Sequence, residues 1–124
     1  VIAEEKLETP IIRNLAEQPV DRSTCGFRQR LITAEDHVNA SVSYLKIFEM
    51  KPHFHIKTTE LYYIIKGAGV LKLDGKAHSV SAGMVVAIPP GVVHELVGEV
   101  EVLVIGTPPF QPDDQFFKDP KSMY

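Results

Sequence analysis

The stretch of this 124-residue chain richest in chemistry is His53-Phe54-His55. On an extended strand successive side chains alternate faces, so both imidazoles point the same way, one pleat apart. Glu60 follows closely, and His94 lies far downstream. Two imidazoles from one strand, a carboxylate and a third His are together the donor set of a metal cage. Mixed nitrogen and oxygen donors suit Fe, Mn, Zn, Ni or Cu better than the ions that prefer all-oxygen sites. The His-x-His pair is weak on its own. With 5 His in 124 residues, a shuffled order gives about 0.2 such pairs.

The weight comes from the residues around it. His53-x-His55-x4-Glu60-x6-Gly67 precedes Gly83-x5-Pro89-x-Gly91-x2-His94, with residues 68–82 between the two blocks. Together they resemble the paired motifs of the cupin superfamily, in its small single-domain form (cupin 2 type). Two positions depart from the pattern: Ile47 stands where the first motif opens with Gly, and Gly98 where the second closes with Asn. Neither position ligates metal in that family. The resemblance implies a jelly-roll β-barrel in which His53, His55, Glu60 and His94 hold one divalent transition metal ion (Fe, Mn, Zn or Ni). It also implies a small-molecule ligand or substrate and a homodimer.

The elements that must position these donors are short strands. Ile11 to Leu15, Gly26 to Ile32, Ser41 to Met50, Phe54–His55, Leu61 to Lys66 and Val70 to Leu73 are candidates. So are His78 to Val80, Met84 to Ile88 (expected to be one buried strand), Val92 to Val97 and Val100 to Ile105. Asp74-Gly75 predicts a two-residue hairpin, because type I′ turns need positive φ at both central positions. Gly67-Ala68-Gly69, Ala82-Gly83 and Pro89-Pro90-Gly91 are expected to be the other corners. Many short strands with Gly and Pro turns and no 3.6-residue pattern argue for an all-β barrel or sandwich. Periodicity and resemblance therefore agree on an all-β, single jelly-roll cupin barrel. Its core is expected over about residues 26–106 of one domain covering 1–124. Residues 1–10 would be a polar arm, and 107–124 an aromatic tail on the barrel outside or on a second subunit. If Glu60 faces inward, the two-residue period turns Tyr62 and Ile64 inward and Leu61, Tyr63 and Ile65 outward.

Bulk composition excludes several classes. A net charge of −3 offers no basic surplus for nucleic acid, and no apolar run approaches the roughly 20 residues of a membrane-spanning helix. The single Cys25 rules out an internal disulfide and fits a reducing compartment, so a cytoplasmic protein is expected. The first residue is Val1 rather than Met, so the native N-terminus is left open.

Other candidates carry two readings each. Tyr62 is a candidate catalytic proton donor beside the metal, or a strand former. Arg28 and Arg30 share one strand face and would bind a carboxylate or phosphate if they faced the pocket; otherwise they form a solvated face or a salt bridge. Cys25 has no base nearby in sequence to activate it. His37 and His78 read as surface residues, and Met50 and Met84 as core. Four protein donors leave one or two positions open on a five- or six-coordinate ion. With a divalent ion the cage carries a net charge of +1, from +2 and −1, which favours an anionic ligand. A redox-active metal would support dioxygenase chemistry, whereas Zn, Mn or Ni would act as a Lewis acid for isomerase or lyase chemistry. A non-enzymatic module that binds a sugar-like molecule is the alternative.

Overall fold

The computed structural model describes residues 5–119 and 121. Among the described residues ten strands form in chain order: β1 (Val20–Arg22), β2 (Gly26–Ile32), β3 (Ser41–Ile47), β4 (His53–Phe54), β5 (Thr59–Leu73), β6 (Lys76–Ser81), β7 (Val85–Ile88), β8 (His94–Val97), β9 (Val100–Thr107) and β10 (Phe116–Phe117). All pairings are antiparallel, in the order β1-β2-β3-β9-β5-β8-β4-β10, with β6 and β7 also on β5. The result is the all-β barrel of cupin type that the sequence predicts. No helix among the described residues is long and apolar enough to cross a membrane.

β5 belongs to both sheets of the barrel. Its first half pairs with β7 and β9, its second half with β6 and β8. Leu61 to Lys66 and Val70 to Leu73 were expected as two strands around a corner at Gly67-Ala68-Gly69. They are one strand, and the glycines mark where it passes between sheets. Gly67 is the last β5 residue paired with β9, and Ala68 the first paired with β6. Gly67 has φ +91, and a Cβ there would stand 2.4 Å from the carbonyl oxygen of Glu99. Only glycine admits so close a backbone. The Asp74-Gly75 hairpin forms as predicted, with φ of 49 and 83 and Leu73 opposite Lys76.

Directly opposed residues in antiparallel strands share a face, so the register sorts the interior into layers. Ser41, Gly106 and Glu60 lie in one; Arg30, Ser43, Val104 and Tyr62 in the next. Arg28, Leu45, Val102 and Ile64 follow, then Gly26, Ile47 and Val100. The inward face thus runs from small and polar at one end to wholly apolar at the other. The apolar end is sealed by Ile47, Ile64, Leu71, Leu96 and Val102, all buried. Each such side chain contributes about 1.5–3 kcal/mol, so this end carries stability and the polar end is left open for a cavity.

Several local expectations are corrected. Met84 and Val85 are 41% and 66% exposed, so the strand at 85–88 is buried on one face only and Met84 is not core. Val85 and Ala87 lie on the outside of the barrel while Val86 and Ile88 face its core, an alternation that an all-apolar run conceals. Met50, by contrast, is buried. Ile11 to Leu15 forms no strand; a 3-10 turn at Leu15–Glu17 leads instead into β1, which was not anticipated. Residues 1–4 of the N-terminal arm lie outside the described residues.

Candidate metal centre

β4, β5 and β8 bring the four predicted donors together. His53 and His94 are register partners on β4 and β8, with ring centroids 4.3 Å apart. His55 follows β4 directly, and Glu60 enters from the start of β5. The amide of Gly91 donates to the His55 carbonyl at 2.7 Å, so the Pro89-Pro90-Gly91 corner is fastened to the first motif just before His94. All four side chains are buried, and one ligand atom from each lies within 4.8 Å of the others.

Each imidazole is committed at Nδ1 to a backbone carbonyl. The acceptors are Lys51 O for His53 at 2.7 Å, Asp114 O for His55 at 2.6 Å and Val92 O for His94 at 3.0 Å. A carbonyl only accepts, so Nδ1 carries the proton and Nε2 is left with its lone pair free, the tautomer a metal ligand needs. His55 Nε2, His94 Nε2 and Glu60 Oε1 are buried without hydrogen-bond partners. The two nitrogens stand 3.0 Å from Glu60 Oε1, but without the alignment of hydrogen bonds. Lone pairs and a carboxylate converging in a buried site are costly unless a cation joins them. The donor set therefore fits a divalent transition metal ion.

Electrostatics agree with that reading. Burial, aided by the neighbouring His94, pushes His53 down to about 4, keeping it neutral. Burial works against charge on Glu60, yet His55 and His94 outweigh it and hold the carboxyl well below its usual range. Burial, then the Glu60 charge, lifts the Tyr62 phenol well above its usual value, so it stays protonated.

Beside the cluster opens a cavity of about 640 Å³. His53 and Glu60 line it, whereas His55 and His94 do not, so the open side of the cage faces this space. Tyr62, Arg28 and Arg30 line it too. Arg28 grips Asp21 through Nε and Nη2 at 3.1 and 3.2 Å, and Arg30 Nη2 reaches the same carboxylate at 2.7 Å. Cys25 is also on the wall, but burial pushes its thiol up to about 11, which leaves it a poor nucleophile. His37 and His78 are exposed, as expected, and are not among the clustered donors.

The C-terminal tail is corrected. It was expected on the barrel outside or on a second subunit, but it crosses the cavity as a strap, with Phe110, Gln111, Pro112 and Gln115 as lining. β10 then pairs with β4, setting Phe116 opposite Phe54 and Phe117 opposite His53. Asp114, read from sequence as part of a polar tail, is 2% exposed. No local pattern could have marked it, because its partners lie more than fifty residues upstream.

Residues 46–106 match the family model of the cupin domain. This chain belongs to the cupin superfamily. It is 33% identical over 66 residues to an uncharacterised protein of Methanocaldococcus jannaschii, a match covering 50% of this chain and 53% of that one. The chain thus spans about half the length of that curated relative. A solved structure from Planctomyces limnophilus superposes with a TM-score of 0.86 at 29% identity, covering 90% of this chain and 100% of that one. The Streptomyces nucleoside dehydratase Pac13 superposes with a TM-score of 0.76 at 19% identity, covering 94% and 100%. That last likeness is one of fold.

Proposed function

We propose that this cupin is a metal-dependent enzyme acting on an anionic or hydroxylated small molecule, by Lewis-acid isomerase or lyase chemistry. The observation that carries the reading is the open side of the His53, His55, Glu60 and His94 cage, which faces a cavity holding Tyr62, Arg28 and Arg30. When bound, a divalent ion supplies a Lewis acid for a carbonyl or hydroxyl oxygen, or, if iron, a centre for dioxygen.

The chain's own residues supply the rest. Arg28 and Arg30 orient a carboxylate or phosphate. Asp21 offsets only one of their two charges, and counting the ion (+2), Glu60 and Glu35, which also lines the cavity, the site remains at +1. Tyr62, held protonated by burial and by Glu60, is suited to give a proton to a departing hydroxyl rather than to take one. That preference favours the isomerase or lyase reading over dioxygenase chemistry. Likeness in fold to a nucleoside dehydratase is in keeping with it. A protein that only binds a sugar-like ligand is the second reading, favoured by the hydroxyls and amides of Ser23, Ser43, Gln111 and Gln115 on the cavity wall.

Elemental analysis of protein purified without added metal is expected to give about one transition metal ion per chain, and His94→Ala to abolish it. Tyr62→Phe is expected to keep the metal while turnover of a responsive small acid or polyol falls about 10²–10⁴-fold. Oxygen uptake by iron-loaded protein would replace this reading with the dioxygenase one, and binding without turnover would replace it with the binding module. We further infer that the chain associates as a homodimer, supported by apolar side chains exposed on the outer face of β5 and β7.

A further inference from the structure

Of the three imidazoles, two are braced locally and one is not. His53 and His94 donate to carbonyls two residues earlier in their own segments. His55 donates to the carbonyl of Asp114, 59 residues downstream in the strap. The Asp114 side chain holds that carbonyl in place. Its Oδ1 accepts from the amides of Ile56 at 2.8 Å and Lys57 at 3.1 Å, and its Oδ2 from Lys57 and Thr58, each at 3.1 Å. One residue thus clasps the four consecutive positions 55 to 58, by its carbonyl and its carboxylate. Charge-assisted bonds of this kind are roughly twice as strong as neutral ones.

The strap that Asp114 anchors is fixed to the barrel at few other points. Besides the pairing of β10 with β4, the Thr58 hydroxyl donates to Pro108 O at 3.1 Å, the Phe110 amide to Ser41 Oγ at 2.9 Å, the Gln115 side-chain amide to Thr24 Oγ1 at 3.4 Å and the Lys118 amide to Pro52 O at 3.0 Å. The Phe110 ring also meets the His55 ring edge-on, at 5.7 Å between centroids. Four strap residues wall the cavity. His55 is therefore shared between the cage and a segment of the ligand pocket.

We propose that Asp114 is a positioning residue of the metal centre, coupling metal occupancy to closure of the C-terminal strap over the cavity. The proposal rests on the metal reading above. A metal ion on Nε2 fixes the His55 ring and with it the donor that Asp114 O accepts; a closed strap presents His55 in the orientation the metal requires. Such coupling is reciprocal by necessity.

The test titrates Zn²⁺ into wild type, Asp114→Ala and Asp113→Ala, and follows amide hydrogen exchange with and without Zn²⁺. Asp114→Ala is expected to weaken Zn²⁺ binding about 10–100-fold, as loss of an outer-shell partner does, with stoichiometry unchanged. Asp113→Ala, which removes the neighbouring exposed carboxylate of the strap and leaves the cavity wall intact, is expected to bind Zn²⁺ like wild type. In wild type, Zn²⁺ should slow exchange at the amides of Ile56, Lys57 and Thr58 and along 110–117, and in Asp114→Ala it should not. A purely structural Asp114 would lower thermal stability and leave these Zn²⁺-dependent differences intact, which would overturn the proposal. So would wild-type affinity in a folded Asp114→Ala. Should that variant fail to fold, Asp114→Asn, which retains one acceptor oxygen, decides by the same readouts with a smaller loss. If wild type itself binds no Zn²⁺ or other transition metal, the metal reading fails first and this proposal with it.

Discussion

On acidification His55 takes up a second proton at Nε2, opposite Glu60, and that proton competes with a metal ion for the lone pair. Burial pushes His55 down, but the adjoining Glu60 carboxylate outweighs it and lifts the imidazole above its ordinary 6.5. Burial pushes Glu60 up, and His55 and His94 pull it further down, below its ordinary 4.5. The signs are opposite. The His55 contribution to stability is full below 6.5 and is lost as pH rises through the lifted value; the Glu60 contribution is full above 4.5 and is lost on acidification. In metal-free protein this pair therefore stabilises most between pH 4.5 and 6.5. A metal ion must displace that Nε2 proton, so affinity is expected to climb with pH through the titration, with protons released on binding at about pH 6. His53, pushed down to about 4, is already neutral there and adds nothing to the release. Calorimetry in two buffers of different ionisation enthalpy measures this directly, and binding heat independent of buffer would contradict it. The donors themselves were legible in the sequence because their spacing is a motif. Asp114 was not, since its role depends on where the strap happens to lie.

At the level of elements, alternation was legible wherever a strand has one buried face. Glu60, Tyr62 and Ile64 are buried on β5 while Tyr63 and Ile65 are exposed, as the two-residue period predicts. It failed where a glycine pair imitates a turn. Gly67-Ala68-Gly69 has the composition of a corner, but its function is to let β5 pass beneath the β8–β9 hairpin, and only the three-dimensional neighbour reveals that. Two glycines of nearly equal φ separate the causes. Gly67 at +91 has the Glu99 carbonyl 2.4 Å from a would-be Cβ, whereas Gly83 at +93 has nothing within 4 Å. Gly83→Ala carries backbone strain alone and is expected to cost about 1 kcal/mol. Gly67→Ala adds a backbone clash that must separate β5 from β9, and is expected to cost about 3 kcal/mol or more. Urea unfolding of the two variants provides the comparison; equal losses would mean that conformation, not space, fixes glycine at 67.

For the whole molecule, the polar-to-apolar gradient along the interior explains why one end is a sealed core and the other a pocket, but the same sheets leave an unmatched outer face. Tyr63 and Val85 are register partners on β5 and β7, and together with Ile65 they are 45%, 66% and 46% exposed. The sequence shows these residues as apolar, and periodicity places Tyr63 and Ile65 outside; what covers them is a property of assembly and has no sequence signal of its own. A second copy of the chain, related by two-fold symmetry, would set like patches against each other. Burying them would remove apolar surface worth about 25 cal/mol per Å², in a region whose side chains point away from Glu60 and Tyr62. Light scattering is expected to give a dimer for wild type. Val85→Lys places an unpaired charge in the middle of the patch, which costs more than an interface of ordinary size can absorb, and is expected to give a monomer. Because the patch lies on the opposite face of β5 from Glu60, that monomer should hold as much metal as the dimer. A monomeric wild type, or a Val85→Lys variant that stays dimeric, would place the subunit contact elsewhere. Metal lost together with the dimer would mean instead that the barrel holds its donors in place only when paired.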